Sequence, residues 1–225
     1  GLTGSAKTSL ALCLTKKELN ISEGNGKKVE VKGEGIQSGS SSITRDPNII
    51  VDQDEKIIYC DCPGFEDTHG FEQEIINSYA IDQLFQQVNN ERCHIKVLLT
   101  VLCSETDTGR CNSILKSIER LTRIFPNIDE IRRKMGIVFT KSEKDITGID
   151  YLHRIQENSN ETLNEWCNYF IENDQQVFEF PAALRKNIGQ QYTEFEDKHR
   201  LIEFLQAELK TSDVNTVSIL HIMLD

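Results

Sequence analysis

Gly1, Ala6, Lys7 and Thr8 stand at the head of the chain in the order G-x-x-x-x-A-K-T. A glycine-rich loop at this spacing lets successive backbone N–H groups converge on a phosphate. A helix that follows it directs the positive end of its dipole at the same point. In such an arrangement Gly1, Leu2, Thr3, Gly4, Ser5, Ala6, Lys7, Thr8 and Ser9 surround the phosphates. Lys7 reaches the β- and γ-phosphates, and the Thr8 hydroxyl ligates Mg²⁺. Ala6 occupies the place of the second fixed glycine of this pattern, a small departure provided its φ stays negative. The competing reading is a glycine-rich turn before a helix.

A second stretch, K-I-I-Y-C-D-C-P-G-F-E-D-T-H-G at 56–70, places Asp61 and Gly64 directly after a hydrophobic strand. An aspartate there can contact Mg²⁺ through water, and the glycine amide can bond a γ-phosphate. Two phosphate-type patterns then agree in order and spacing. Taken alone, Asp61 is also an ordinary strand-ending turn residue.

The segment D-C-P-G-F-E-D-T resembles the D-x-P-G-F/L-x-D-T segment of the septin-like and immunity-associated GTPases, in the translation-factor-related class of P-loop GTPases. Between the two patterns, S-S-S-I-T-R-D-P resembles the family's first switch, with Thr44 as the threonine that senses Mg²⁺ and the γ-phosphate. After a later strand, T-K-S-E-K-D resembles the guanine-reading [NT]-K-x-D pattern through Thr140, Lys141 and, in place of the aspartate, Glu143; Asp145 is the neighbour able to substitute. F-P-A-A-L-R-K-N resembles the loop that supports the base, with Ala182, Ala183 and Leu184 at the matching positions.

The resemblance spans residues 1 to about 209. It implies GTP and GDP as ligands with Mg²⁺ held by Thr8, Thr44 and Asp61, and Lys7, Thr44 and Gly64 around the transferred phosphate. It implies a three-layer α/β G domain over 1–210, with a mostly parallel sheet, one antiparallel strand and helices on both faces. Residues 211–225 are left as a C-terminal extension. The family's central strand precedes the phosphate loop. A chain starting at that loop therefore predicts an N-terminal truncation with the first central strand missing.

Lys and Arg total 25 against 36 Asp and Glu, a formal charge of -11 with no basic cluster. Nonspecific attraction to nucleic acid or an anionic membrane is disfavoured, so a phosphate has to be held by a local site. No apolar run approaches the roughly 18 residues of a membrane span. The seven cysteines, at 13, 60, 62, 93, 103, 111 and 167, follow no pair-of-pairs spacing and fall mostly in apolar segments. That pattern predicts reduced thiols and a cytoplasmic protein. Cys60-x-Cys62 fits alternation along a strand, with metal binding as the alternative.

Around these patterns, apolar periodicity predicts helices at 8–19, 74–88, 114–125, 163–171 and 201–209. Strands are predicted at 48–53 and 56–62, paired as a hairpin, and at 94–103, 135–140 and 177–180. The Gly, Ser and Lys-rich stretch 20–42 predicts a mobile connection.

Phe65 follows Gly64 where Ras-like enzymes keep a water-orienting glutamine. Glu66, Asp67, His69 or a second subunit at the nucleotide face, as in a homodimer, are the remaining candidates for that role, and Arg45 beside Thr44 is a candidate charge stabiliser. The expected function is a slow, Mg²⁺-dependent GTPase. The alternatives are a nucleotide-dependent self-assembling module with negligible hydrolysis, favoured by Phe65, and an ATP-using P-loop enzyme, favoured by Glu143.

Overall fold

The computed structural model describes residues 6–15, 19–23, 29–33, 48–52, 54, 57–62, 79, 80, 83, 86, 95–106, 111–124, 127–184, 187–207 and 219–224. Six strands form one sheet: β3 (Asn48–Asp52), β4 (Ile57–Asp61), β5 (Ile95–Leu102), β6 (Met135–Ser142), β7 (Val177–Pro181) and β8 (Ile219–Leu224). Their order is β3-β4-β8-β5-β6-β7. β3 and β4 pair antiparallel, and every other neighbouring pair in the sheet is parallel.

Strands β4, β5, β6 and β7 are covered on both sides because their side chains alternate between two apolar layers, while edge strand β3 leaves Ile49 and Val51 exposed. Tyr59, Leu98, Val138, Phe178 and Phe180 face α1 (Lys7–Leu14) and α6 (Lys198–Gln206). Cys60, Val97, Leu99, Val101, Ile137 and Phe139 face α2 (Cys111–Ile124), α4 (Gly148–Glu157) and α5 (Glu161–Glu172), with Ile131 of the short α3 (Ile128–Lys134) at the same layer. The result is an α/β architecture with helices on both faces, compatible with a P-loop-like fold.

α1 illustrates how sequence sets layer position. Leu10, Ala11, Leu12, Cys13 and Leu14 are all buried, so the helix has no solvent face and must lie within the core. It ends at Thr15, whose hydroxyl and amide both turn back onto Ala11 O. The predicted helix over 8–19 is therefore shorter.

Two expectations need correction, and one helix goes beyond them. The stretch 20–42 is not wholly a connection: β1 (Asn20–Glu23) and β2 (Val29–Lys32) pair antiparallel as a separate two-stranded sheet. Its first strand is tied to the 187–192 loop through Ile21 N–Gln190 O and Gly189 N–Ile21 O. The helix predicted at 163–171 is preceded by α4, whose Thr147–Asp150 capping box marks its start. Most important, the centre of the sheet is occupied. β8, from the segment assigned to an extension, lies between β4 and β5, with Cys60 and Val97 both opposite Ile222. The expected gap at the first central strand is thus filled from the other end of the sequence.

Candidate functional site

The first-turn amides of α1, from Lys7 to Ser9, point out of its N-terminal end as in any α-helix, where the dipole favours an anion. No acidic residue occupies that first turn, and the N-cap, Ala6, supplies no side-chain cap. Ala6 has φ 64 and ψ 22, the left-handed region. The condition under which alanine would be a small departure, a negative φ, is therefore not met. The backbone keeps the turn that a glycine would make without steric cost, and the alanine methyl bears that cost.

Thr8 and Asp61 meet at this end of α1. The half-buried Thr8 hydroxyl donates to Asp61 Oδ2 at 2.6 Å, and Asp61 is 1% exposed. Asp61 is the last residue of β4, facing α1, whereas Cys60 and Cys62 lie in the opposite layer. Their sulfurs approach to 3.6 Å. That contact, followed by burial, raises the Cys62 thiol well above its usual range, and the nearby charge of Lys7 opposes the rise. Lys7 itself is buried. Thr8 and Asp61 are therefore brought into contact, with Lys7 buried next to Thr8 in sequence and its charge acting on Cys62.

The second group lies at the same edge of the sheet, since β4, β8, β5, β6 and β7 all run parallel. Thr140 is fully buried and its hydroxyl bonds Val101 O at 3.3 Å. Lys141 follows with φ 56, and the pairing of β6 with β7 shifts register between Thr140 and Ser142. Partial loss of water holds the Lys141 ammonium below its ordinary range. Ala182 N donates to Ser142 O at 3.4 Å, which joins the 182–184 segment after β7 to the end of β6. Ala182 and Ala183 are half-buried, and Leu184 is exposed. Glu143 and Asp145 are both exposed, Asp145 with φ 70.

The turn from β6 into α4 is anchored by residues that the sequence reading did not single out. Tyr151, fully buried, accepts from Glu143 N at 3.0 Å. Gly148 N donates to Glu179 Oε1 at 2.7 Å, and a Cβ on Gly148 would meet Val177 Cγ1 at 2.5 Å. That position has to remain glycine for α4 to lie this close to β7. Burial pushes the Glu179 carboxyl up, partly offset by the Gly148 bond. The T-x-x-D pattern at 147–150 was the available signal for this turn.

No family model, curated protein or solved structure matches this chain.

Gly1, Leu2, Thr3, Gly4, Ser5, Thr44 and Gly64 lie outside the described residues, as do Phe65, Glu66, Asp67, His69 and Arg45. Among the described residues no three His, Cys, Asp or Glu side chains gather as metal ligands. What the described residues offer a cation is a hydroxyl and a carboxylate in contact, hard oxygen donors suited to Mg²⁺ that keeps water or phosphate oxygens in its remaining positions. Among the described residues no helix is long and apolar enough to cross a membrane.

Proposed function

We propose that this protein binds a nucleoside triphosphate along the carboxyl edge of its sheet, with GTP as the matching ligand, and hydrolyses it slowly. The observation that carries this reading is the Thr8–Asp61 hydrogen bond, which joins residues from the two phosphate-type patterns at the N-terminus of a buried helix. From β4 to β6 is three strand spacings, about 14 Å. That span suits a ligand with phosphates at one end and a base at the other.

In this reading the first-turn amides of α1 and the Lys7 ammonium hold the phosphates, while Thr8 and Asp61 hold Mg²⁺. Bound there, the ion neutralises charge on the β- and γ-phosphates. Glu143, with the 182–184 segment beside it, faces the base. The roles of Thr44 and Gly64 follow from the resemblance alone. Phe65 supplies no water-orienting group, which favours slow turnover and supports the second reading, nucleotide-controlled self-association.

The test is GTP binding to the full chain and to Lys7→Ala. The variant is expected to lose about 10- to 100-fold in affinity, as the loss of a charge-assisted contact implies. Unchanged affinity would sink the phosphate-site assignment. Single-turnover hydrolysis across a range of protein concentration separates the two readings: activity per molecule rises with concentration only if association completes the site.

A further inference from the structure

The geometry points to β8 as the floor of the phosphate site, so that docking of this C-terminal strand and binding of the triphosphate are thermodynamically linked. The inference rests on the phosphate-site reading above and adds an element that neither phosphate-type pattern contains.

Ligands of open parallel α/β sheets bind beyond the carboxyl ends of strands, at the point where the strand order reverses. Here that point is β8. The strands on its two sides, β4 and β5, follow one another in sequence, and neither pairs with the other. Register sets Met223 opposite Asp61 and Leu224 opposite Leu99. β8 therefore ends beside the aspartate that holds Thr8, at the level where the ligand would sit.

Removing β8 would separate β3 and β4 from β5, β6 and β7. Asp61 would then lose its hydrogen-bonded connection across the sheet to the Thr140–Glu143 turn, with the packing of α1 left as the link between the two halves. The strand is reached from α6 through residues 208–218, an 11-residue link. It pairs along its length with β4 on one side and β5 on the other. Its place is thus set chiefly by the sheet it completes. A ligand that needs both halves of the site binds only the docked state and must favour it by its own binding free energy.

The experiment uses the full wild-type chain with GTP·Mg²⁺ and amide hydrogen exchange. At GTP ten times above its dissociation constant, exchange within 219–224 is expected to slow about tenfold, with a smaller effect on β7 at the far edge. A second arm uses Ile222→Pro, which removes the amide paired at the middle of the strand. It is expected to weaken GTP binding at least tenfold while Trp166, the single tryptophan, buried in the opposite layer, keeps its native emission.

Wild-type binding with exchange of 219–224 unmoved, or slowed equally in β7, overturns the inference and leaves the proposed function standing. A wild-type chain that binds neither GTP nor ATP overturns both. If Ile222→Pro unfolds the whole chain, the wild-type exchange measurement still decides.

Discussion

The backbone amide of Glu143 donates to the hydroxyl of Tyr151, so the residue at the base-reading position is held from beneath by the first turns of α4. Tyr151 is fixed in turn by stacking on Phe139, with ring centroids 5.2 Å apart. Tyr151→Phe keeps the ring and removes the acceptor. It is expected to cost about 1 kcal/mol of stability and to reduce the preference for GTP over ATP several-fold. Denaturant midpoints and nucleotide competition check the two effects. An unchanged preference would place control of the Glu143 turn elsewhere.

Thr8 and Asp61 are predicted to act as one unit toward the metal. Thr8→Val keeps the branched shape without the hydroxyl, and Asp61→Asn keeps the size without the charge. Each should raise the Mg²⁺ concentration needed for GTP binding by at least tenfold. The double variant should fall well short of the product of the two, because groups in contact do not contribute additively. Magnesium titrations of the four proteins form the cycle, and simple additivity would show that the two groups serve different ligands.

How far this site was legible depended on whether the signal was local. The Asp61 pattern and the hairpin before it could be read because a β-type apolar run and its terminating aspartate sit within a few residues. β5 and β6 were legible for the same reason, as uninterrupted apolar strands buried on both faces. β8 was not, because nothing within Ile219–Leu224 says which strands it will lie between. Its position follows from β4 and β5, strands more than a hundred residues earlier, a tertiary constraint without a local period. Ala6 shows the opposite failure. The pattern marked the position, but the side chain gave no sign that the backbone keeps glycine's left-handed conformation. Glu179 and Tyr151 were missed because each supports the Glu143 turn from another element.

Stability should fall in alkali for a reason visible in the core. Burial raises Cys13 from 9.0 to about 11 and Cys103 from 9.0 to about 12, and burial likewise raises Tyr151 from 10.0 to about 12. Such groups leave stability untouched while they are protonated in both states, and they favour the unfolded chain once it ionises while the folded one stays protonated. Stability is therefore level below pH about 9 and falls as pH rises toward 11 to 12. Each group contributes a slope of about 1.4 kcal/mol per pH unit within its window. The denaturant midpoint is expected to be level from pH 7 to 8.5 and to fall from pH 9 to 11. Cys13→Ala should show a shallower fall, whatever its absolute stability. An equal slope would assign the alkaline loss to other groups.

The last prediction concerns Ala6. An L-residue in the left-handed region costs roughly 1 to 2 kcal/mol through contact of its Cβ with the following carbonyl. Glycine escapes that cost but gives the unfolded chain more freedom, which returns about 0.4 to 1 kcal/mol. Ala6→Gly is therefore expected to stabilise the protein by a net of about 0.5 kcal/mol. The effect on binding should be larger than that figure suggests, because Ala6 immediately precedes the amides that would hold the phosphate, and any relaxation of the strained φ would rotate those amides away from the ligand. Restoring glycine allows the turn to keep its geometry without opposition, so GTP affinity should rise by several-fold, with GDP affinity rising in parallel since both nucleotides present a β-phosphate there. Ala6→Val is the opposing test: a β-branched side chain tolerates positive φ poorly and should lower both stability and affinity. Paired denaturation and nucleotide titrations of the three proteins decide the matter. Affinity that ignores the residue at position 6 would mean that the amides at the start of α1 do not contact the phosphate.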